Sequence, residues 1–74
     1  MEPSERALSE LTFEDAQREL ERIVSELEGG RAGLEDALAL WQRGDELYRY
    51  CLGKLDSAEG KIEELGRRVE GARP

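Results

Sequence analysis

Apolar positions recur along the early part of the chain as Phe13, Ala16, Leu20, Ile23 and Leu27, with Val24 widening the face. This 3-4-3-4 spacing is one side of an amphipathic helix and predicts a helix over about 13–28. Thr12 followed by Asp15 is a variant capping box, in which the Thr hydroxyl accepts a backbone N–H. Glu14 and Asp15 also suit the positive end of the helix dipole. Gly29-Gly30 ends the segment, because glycine takes left-handed dihedrals at low cost. The linker Gly29-Gly30-Arg31-Ala32-Gly33 is short, so the next helix turns back antiparallel.

The second segment keeps the same spacing through Leu34, Ala37, Trp41, Gly44, Tyr48, Cys51, Leu55, Ala58, Ile62, Leu65 and Val69. Sustained heptads predict a coiled-coil seam on one long helix over about 34–66. Asp45 with Arg49, Glu63 with Arg67 and Glu64 with Arg68 form i,i+4 charge pairs of the helpful polarity. The predicted fold is therefore all-α, an antiparallel two-helix hairpin with coiled-coil-like packing. Its expected core is Phe13, Ala16, Leu20, Ile23, Leu27, Trp41, Tyr48 and Cys51. Residues 1–11 read as a flexible N-terminal tail, 12–66 as the hairpin domain and 67–74 as a basic C-terminal tail.

The two helices differ in length. At about 1.5 Å per residue, positions 34–65 span roughly 48 Å against roughly 24 Å for the first helix. Leu55, Ala58, Ile62 and Leu65 are then left as a stripe without an intrachain partner, and such stripes mark interaction surfaces. Leu38, Leu40, Leu47 and Leu52 lie outside the main seam as further apolar surplus. The expected partner interface is Leu38, Leu40, Leu47, Leu55, Ile62 and Leu65. Gly44 falls on the seam, where it permits close backbone approach. Gly53 and Gly60 read as residues that soften the long helix, at about 1 kcal/mol each relative to alanine.

Composition sharpens this picture. A 74-residue chain makes a marginal core on its own. Cys51 is the only cysteine and histidine is absent, so neither an intrachain disulfide nor a Cys/His metal site can staple it. Self-association or a partner is the expected source of added stability. The longest apolar run, Ala37-Leu38-Ala39-Leu40-Trp41, is far short of a membrane span, and Met1-Glu2-Pro3-Ser4-Glu5-Arg6 does not read as a secretory leader. A cytoplasmic protein is expected, with no membrane association. The net charge of −7 argues against an independent grip on DNA, which needs a basic footprint. Only 67–74 is basic, through Arg67, Arg68 and Arg73 against Glu70, and these residues also complement a helix C-terminus.

Catalytic chemistry is not visible in the residues. Phosphodiester cleavage needs a base or nucleophile, a charge stabiliser and often a metal. Glu63-Glu64 and Asp45-Glu46 are neighbours in sequence and so diverge on a helix, reading as solvated faces. The glycine doublet follows a helix and not a strand, which excludes a phosphate loop. Cys51 reads as a packed thiol, and Trp41 and Tyr48 as core or interface residues. No catalytic residue, cofactor site or metal site is expected.

Thr12-Phe13-Glu14-Asp15-Ala16, Leu20-Glu21-Arg22-Ile23-Val24 and Leu27-Glu28-Gly29-Gly30 resemble the first half of the exodeoxyribonuclease VII small-subunit family. Leu34-Glu35-Asp36-Ala37-Leu38, Leu40-Trp41-Gln42-Arg43-Gly44 and the ladder Leu47, Cys51, Leu55, Ala58-Glu59, Lys61-Ile62-Glu63 resemble its second half. Gln17, Ala32-Gly33, Trp41 and Gly60 depart from the family pattern. The resemblance implies a non-catalytic small subunit of a holoenzyme that degrades single-stranded DNA exonucleolytically into oligonucleotides. It implies a large subunit as partner, several small subunits on each large one, and contact with single-stranded DNA only through the holoenzyme. Periodicity alone fits a homo-oligomeric coiled-coil adaptor equally well, and the charge permits an acidic DNA mimic. An independent nuclease conflicts with the missing catalytic groups.

Overall fold

Thr12 opens the first helix in the computed structural model, which describes residues 7–54 and 60–74. The Asp15 N–H donates to Thr12 Oγ1 at 3.0 Å, and the Thr12 N–H donates back to Asp15 Oδ2 at 3.4 Å. Two otherwise orphaned donors are thereby satisfied, and α1 runs Phe13–Gly29. It stops at Gly30, whose φ of 69° is left-handed and whose N–H reaches Leu27 O. Helix α2, Leu34–Leu52, then returns antiparallel to α1. The pairings Glu19 with Arg43 and Leu11 with Tyr50 fix that direction. All described elements are helical, and the close packing of α1 on α2 is the expected hairpin.

The long second helix is corrected. Helix α2 ends at Gly53, and a third helix, α3, spans Lys61–Gly71. Gly60 at its start has φ +89°, a conformation that costs an L-residue dearly. The two glycines expected to soften one helix instead bound two. Helix α3 runs parallel to α1, since Lys61 pairs with Glu21 at 3.1 Å and Arg68, one heptad later, pairs with Glu28 at 2.7 Å. It is therefore antiparallel to α2, as the Trp41 Nε1–H bond to Val69 O at 3.0 Å requires.

The reversal has a clear driving force. Extended into water, Ile62, Leu65 and Val69 would stay hydrated on a helix carrying two costly glycines. Folded back, they are buried among Leu20, Ile23, Val24, Leu47 and Cys51. Each such side chain gains roughly 1.5–3 kcal/mol from burial, which outweighs the cost of breaking the helix. Ile62 and Leu65, expected as an uncovered stripe, are 2% and 0% exposed, and Leu47 is equally buried. Leu55 and Ala58 lie outside the described residues.

Both expected tails are partly structured. Leu8–Glu10 forms a 3-10 turn, and Leu11 is buried with its carbonyl accepting the Tyr50 hydroxyl at 2.7 Å. At the other end the basic segment is helical through Gly71. Its Arg68 and Arg73 are placed by specific partners, Glu28 and the Trp41 ring.

Candidate partner interface

Gly44 sits where all three helices meet. A Cβ there would lie 3.2 Å from Ile23 Cγ2, 3.6 Å from Val69 Cγ2 and 3.7 Å from Leu20 Cδ1. The missing side chain thus lets α1 and α3 approach α2, as its seam position suggested. Around it, the expected core residues Ala16, Leu20, Ile23 and Cys51 are fully buried, while Phe13, Leu27, Trp41 and Tyr48 are half-buried against them. Burial pushes the Cys51 thiol above its ordinary value, an effect that nearby Lys54 only partly offsets. It is therefore protonated at neutral pH and a poor nucleophile.

Sequence reasoning missed the polar part of the α1–α2 contact. Arg43 reaches across from α2 and grips Glu19 with two donors, Nε to Oε2 at 2.8 Å and Nη2 to Oε1 at 3.3 Å. Glu19 is the buried charged residue, 7% exposed. Its place beside Leu20 on the apolar face was the only local signal. Burial without a partner would be costly, and the bidentate guanidinium supplies that partner.

Among the described residues no group of three or more Asp, Glu, Cys or His side chains is placed to hold a metal ion. Asp45 is engaged by Arg49 at 3.0 Å, and Glu46, Glu63 and Glu64 are exposed. No described helix is long and apolar enough to cross a membrane. What remains is surface. Leu38 is exposed and Leu40 half-buried, while Leu34 and Leu52, which were not among the expected interface residues, are more exposed than either.

The exonuclease VII small subunit family model matches residues 13–64, which takes in α1, α2 and the start of α3. The chain belongs to the exonuclease VII small subunit family. An exodeoxyribonuclease 7 small subunit of Gluconacetobacter diazotrophicus is 48% identical over 65 residues, covering 88% of this chain and 86% of that protein. One from Novosphingobium aromaticivorans is 39% identical over 71 residues, covering 90% and 86%. A third, from Symbiobacterium thermophilum, is 48% identical over 62 residues, covering 84% of each. No solved structure matches the chain. As an exonuclease VII small subunit, the chain is part of a nuclease.

Proposed function

We propose that this chain is the non-catalytic small subunit that assembles with the large, catalytic subunit of exonuclease VII to degrade single-stranded DNA exonucleolytically into oligonucleotides. The family match over residues 13–64 carries this reading. The lack of a metal-holding carboxylate cluster among the described residues and the net charge of −7 support the division of labour: hydrolysis and the grip on DNA belong to the partner. Single-stranded DNA is met only through the holoenzyme, in the cytoplasm, and further copies of the chain join each large subunit. Of the five described residues among the six expected at the interface, Leu38 and Leu40 retain surface for it.

Co-purification with the large subunit from the same genome tests the proposal. A stable complex should form, and full single-strand exonuclease activity should need both chains. A small chain that forms its own discrete oligomer and ignores the large subunit would move the assignment to a coiled-coil adaptor.

A further inference from the structure

The heptad seam runs without a break in the sequence from Leu34 to Val69, by way of Cys51, Leu55, Ala58 and Ile62, yet α3 doubles back on α2. Gly53, at the end of α2, keeps a right-handed backbone with φ −81° and ψ −1°, whereas Gly60 holds φ +89°. Trp41 donates to Val69 O, and Tyr48 packs against Gly66. The midpoints of these two antiparallel pairings fall at positions 55 and 57 of the chain. Two straight helices over 34–71, paired antiparallel about a twofold axis at those positions, have the same register. The α3 of a second copy therefore reaches the α1–α2 hairpin with each contact of the folded-back α3 in place.

We propose that two copies of this chain exchange α3, each running α2 straight on into α3 and laying it on the hairpin of the other. What α3 already fits selects a second copy as the occupant. Ile62, Leu65 and Val69 are buried with Leu20, Ile23 and Leu47, while Lys61 Nζ meets Glu21 at 3.1 Å and Arg68 Nη2 meets Glu28 at 2.7 Å. A second copy offers the same apolar face and the same opposed charges. Within α3, Lys61, Arg67 and Arg68 balance Glu63, Glu64 and Glu70, so a neutral element changes hands between chains that each carry −7. Exchange frees Gly60 from its left-handed dihedral and completes the helical seam, with Leu55 and Ala58 of the two copies meeting at the axis. Association costs freedom, so the exchanged dimer gains on the folded-back monomer as concentration rises.

The test uses the purified full chain alone, its mass followed by light scattering over a range of concentrations. The mass should rise from 8.4 kDa towards twice that value. Gly60→Ala, which removes the residue that tolerates the turn, should lower the midpoint concentration of dimerisation at least tenfold. Charge exchange separates this dimer from any other. Glu28→Arg and Arg68→Glu each oppose like charges when alone, but in a mixed exchanged dimer both sites regain opposite charges. Native mass spectrometry of an annealed mixture should show the mixed dimer at least tenfold above either single-variant dimer. Arg22→Glu mixed with Glu26→Arg, whose pair lies within α1, should give a statistical mixture. A statistical mixture for the Glu28 and Arg68 variants assigns the dimer to another surface and overturns the exchange. A mass of 8.4 kDa at every concentration for both wild type and Gly60→Ala overturns it too, as does an unshifted midpoint in a Gly60→Ala chain of undiminished helicity. If Gly60→Ala loses helicity by circular dichroism, the wild-type mass and the mixed-dimer ratio decide.

Discussion

The ring of Tyr48 on α2 packs against Gly66 on α3, so close that a Cβ at position 66 would clash with its edge, 2.9 Å from Cδ1 and nearer still to Cε1 and Cζ. No other glycine in the described chain is so tightly covered. The contact joins the middle of α3 to the C-terminal part of α2, next to a groove beside Asp45.

Gly66→Ala should therefore reverse the usual sign of a helical glycine-to-alanine change. Propensity favours alanine by about 1 kcal/mol, whereas overpacking costs about 1–3 kcal/mol. The net expectation is a loss of up to about 2 kcal/mol by urea denaturation. Once Tyr48→Ala removes the ring, the same Gly66→Ala change should stabilise by about 1 kcal/mol. A double-mutant cycle showing no coupling between positions 48 and 66 would sink this account.

Gly53 and Gly60 should answer oppositely to alanine. On one continuous helix both changes would stabilise by about 1 kcal/mol each. Gly53 has an ordinary φ of −81°, and its added Cβ would make a 3.6 Å contact with Tyr50 O, so Gly53→Ala should be neutral or mildly stabilising. Gly60 meets open space but has φ +89°, so Gly60→Ala should cost about 1–2 kcal/mol through backbone strain alone. Thermal or urea unfolding of the two variants side by side decides it, and equal stabilisation by both would restore the single long helix.

Why that reversal was not legible follows from the same residues. Thr12, Asp15 and Gly30 act within one turn of their own backbone, so the ends of α1 could be read directly. Ile62, Leu65 and Val69 keep identical 3-4 spacing whether α3 continues α2 or doubles back on it. Periodicity says that one face is apolar and not which surface will cover it. Gly66 under Tyr48 depends on a contact between helices and leaves no local trace, and the pair of Glu19 with Arg43 shows locally only in Glu19's place on the apolar face. Three residues that sequence reasoning assigned to a partner interface, Leu47, Ile62 and Leu65, lie instead in the core of the chain.

Breaking the Glu19–Arg43 pair should cost far more than breaking a surface pair of similar length. The two side chains are 6% and 17% exposed, whereas the Arg49 side chain paired to Asp45 is 76% exposed. Arg43→Met leaves the Glu19 carboxylate buried without its guanidinium and should cost roughly 3 kcal/mol. Arg49→Met should cost less than about 0.5 kcal/mol. Adding Glu19→Leu to Arg43→Met should recover most of the loss, because two apolar groups replace one stranded charge. Failure of the second substitution to rescue would show that Arg43 acts through something other than Glu19.

Glu28 and Arg68 give the chain a measurable acid response. Glu28 lies in the last turn of α1, where the negative end of the helix dipole opposes its charge. The two donors of Arg68, at 2.7 and 2.9 Å, outweigh that and hold the carboxyl below its ordinary value of 4.5. Because the folded value is the depressed one, the pair's contribution to stability is present above about pH 4.5. It is lost as pH falls through the folded value. Arg68→Met should therefore lower stability near neutrality, with the difference from wild type closing as the solution is acidified. The pair is solvent-exposed, so added salt should narrow the same difference at neutral pH. Carboxyl NMR titration reads the cause directly: Glu28 should titrate below 4.5 in the wild-type chain and move upward in Arg68→Met. A wild-type Glu28 titrating at or above that value would remove the pair from the forces that hold α3 against α1.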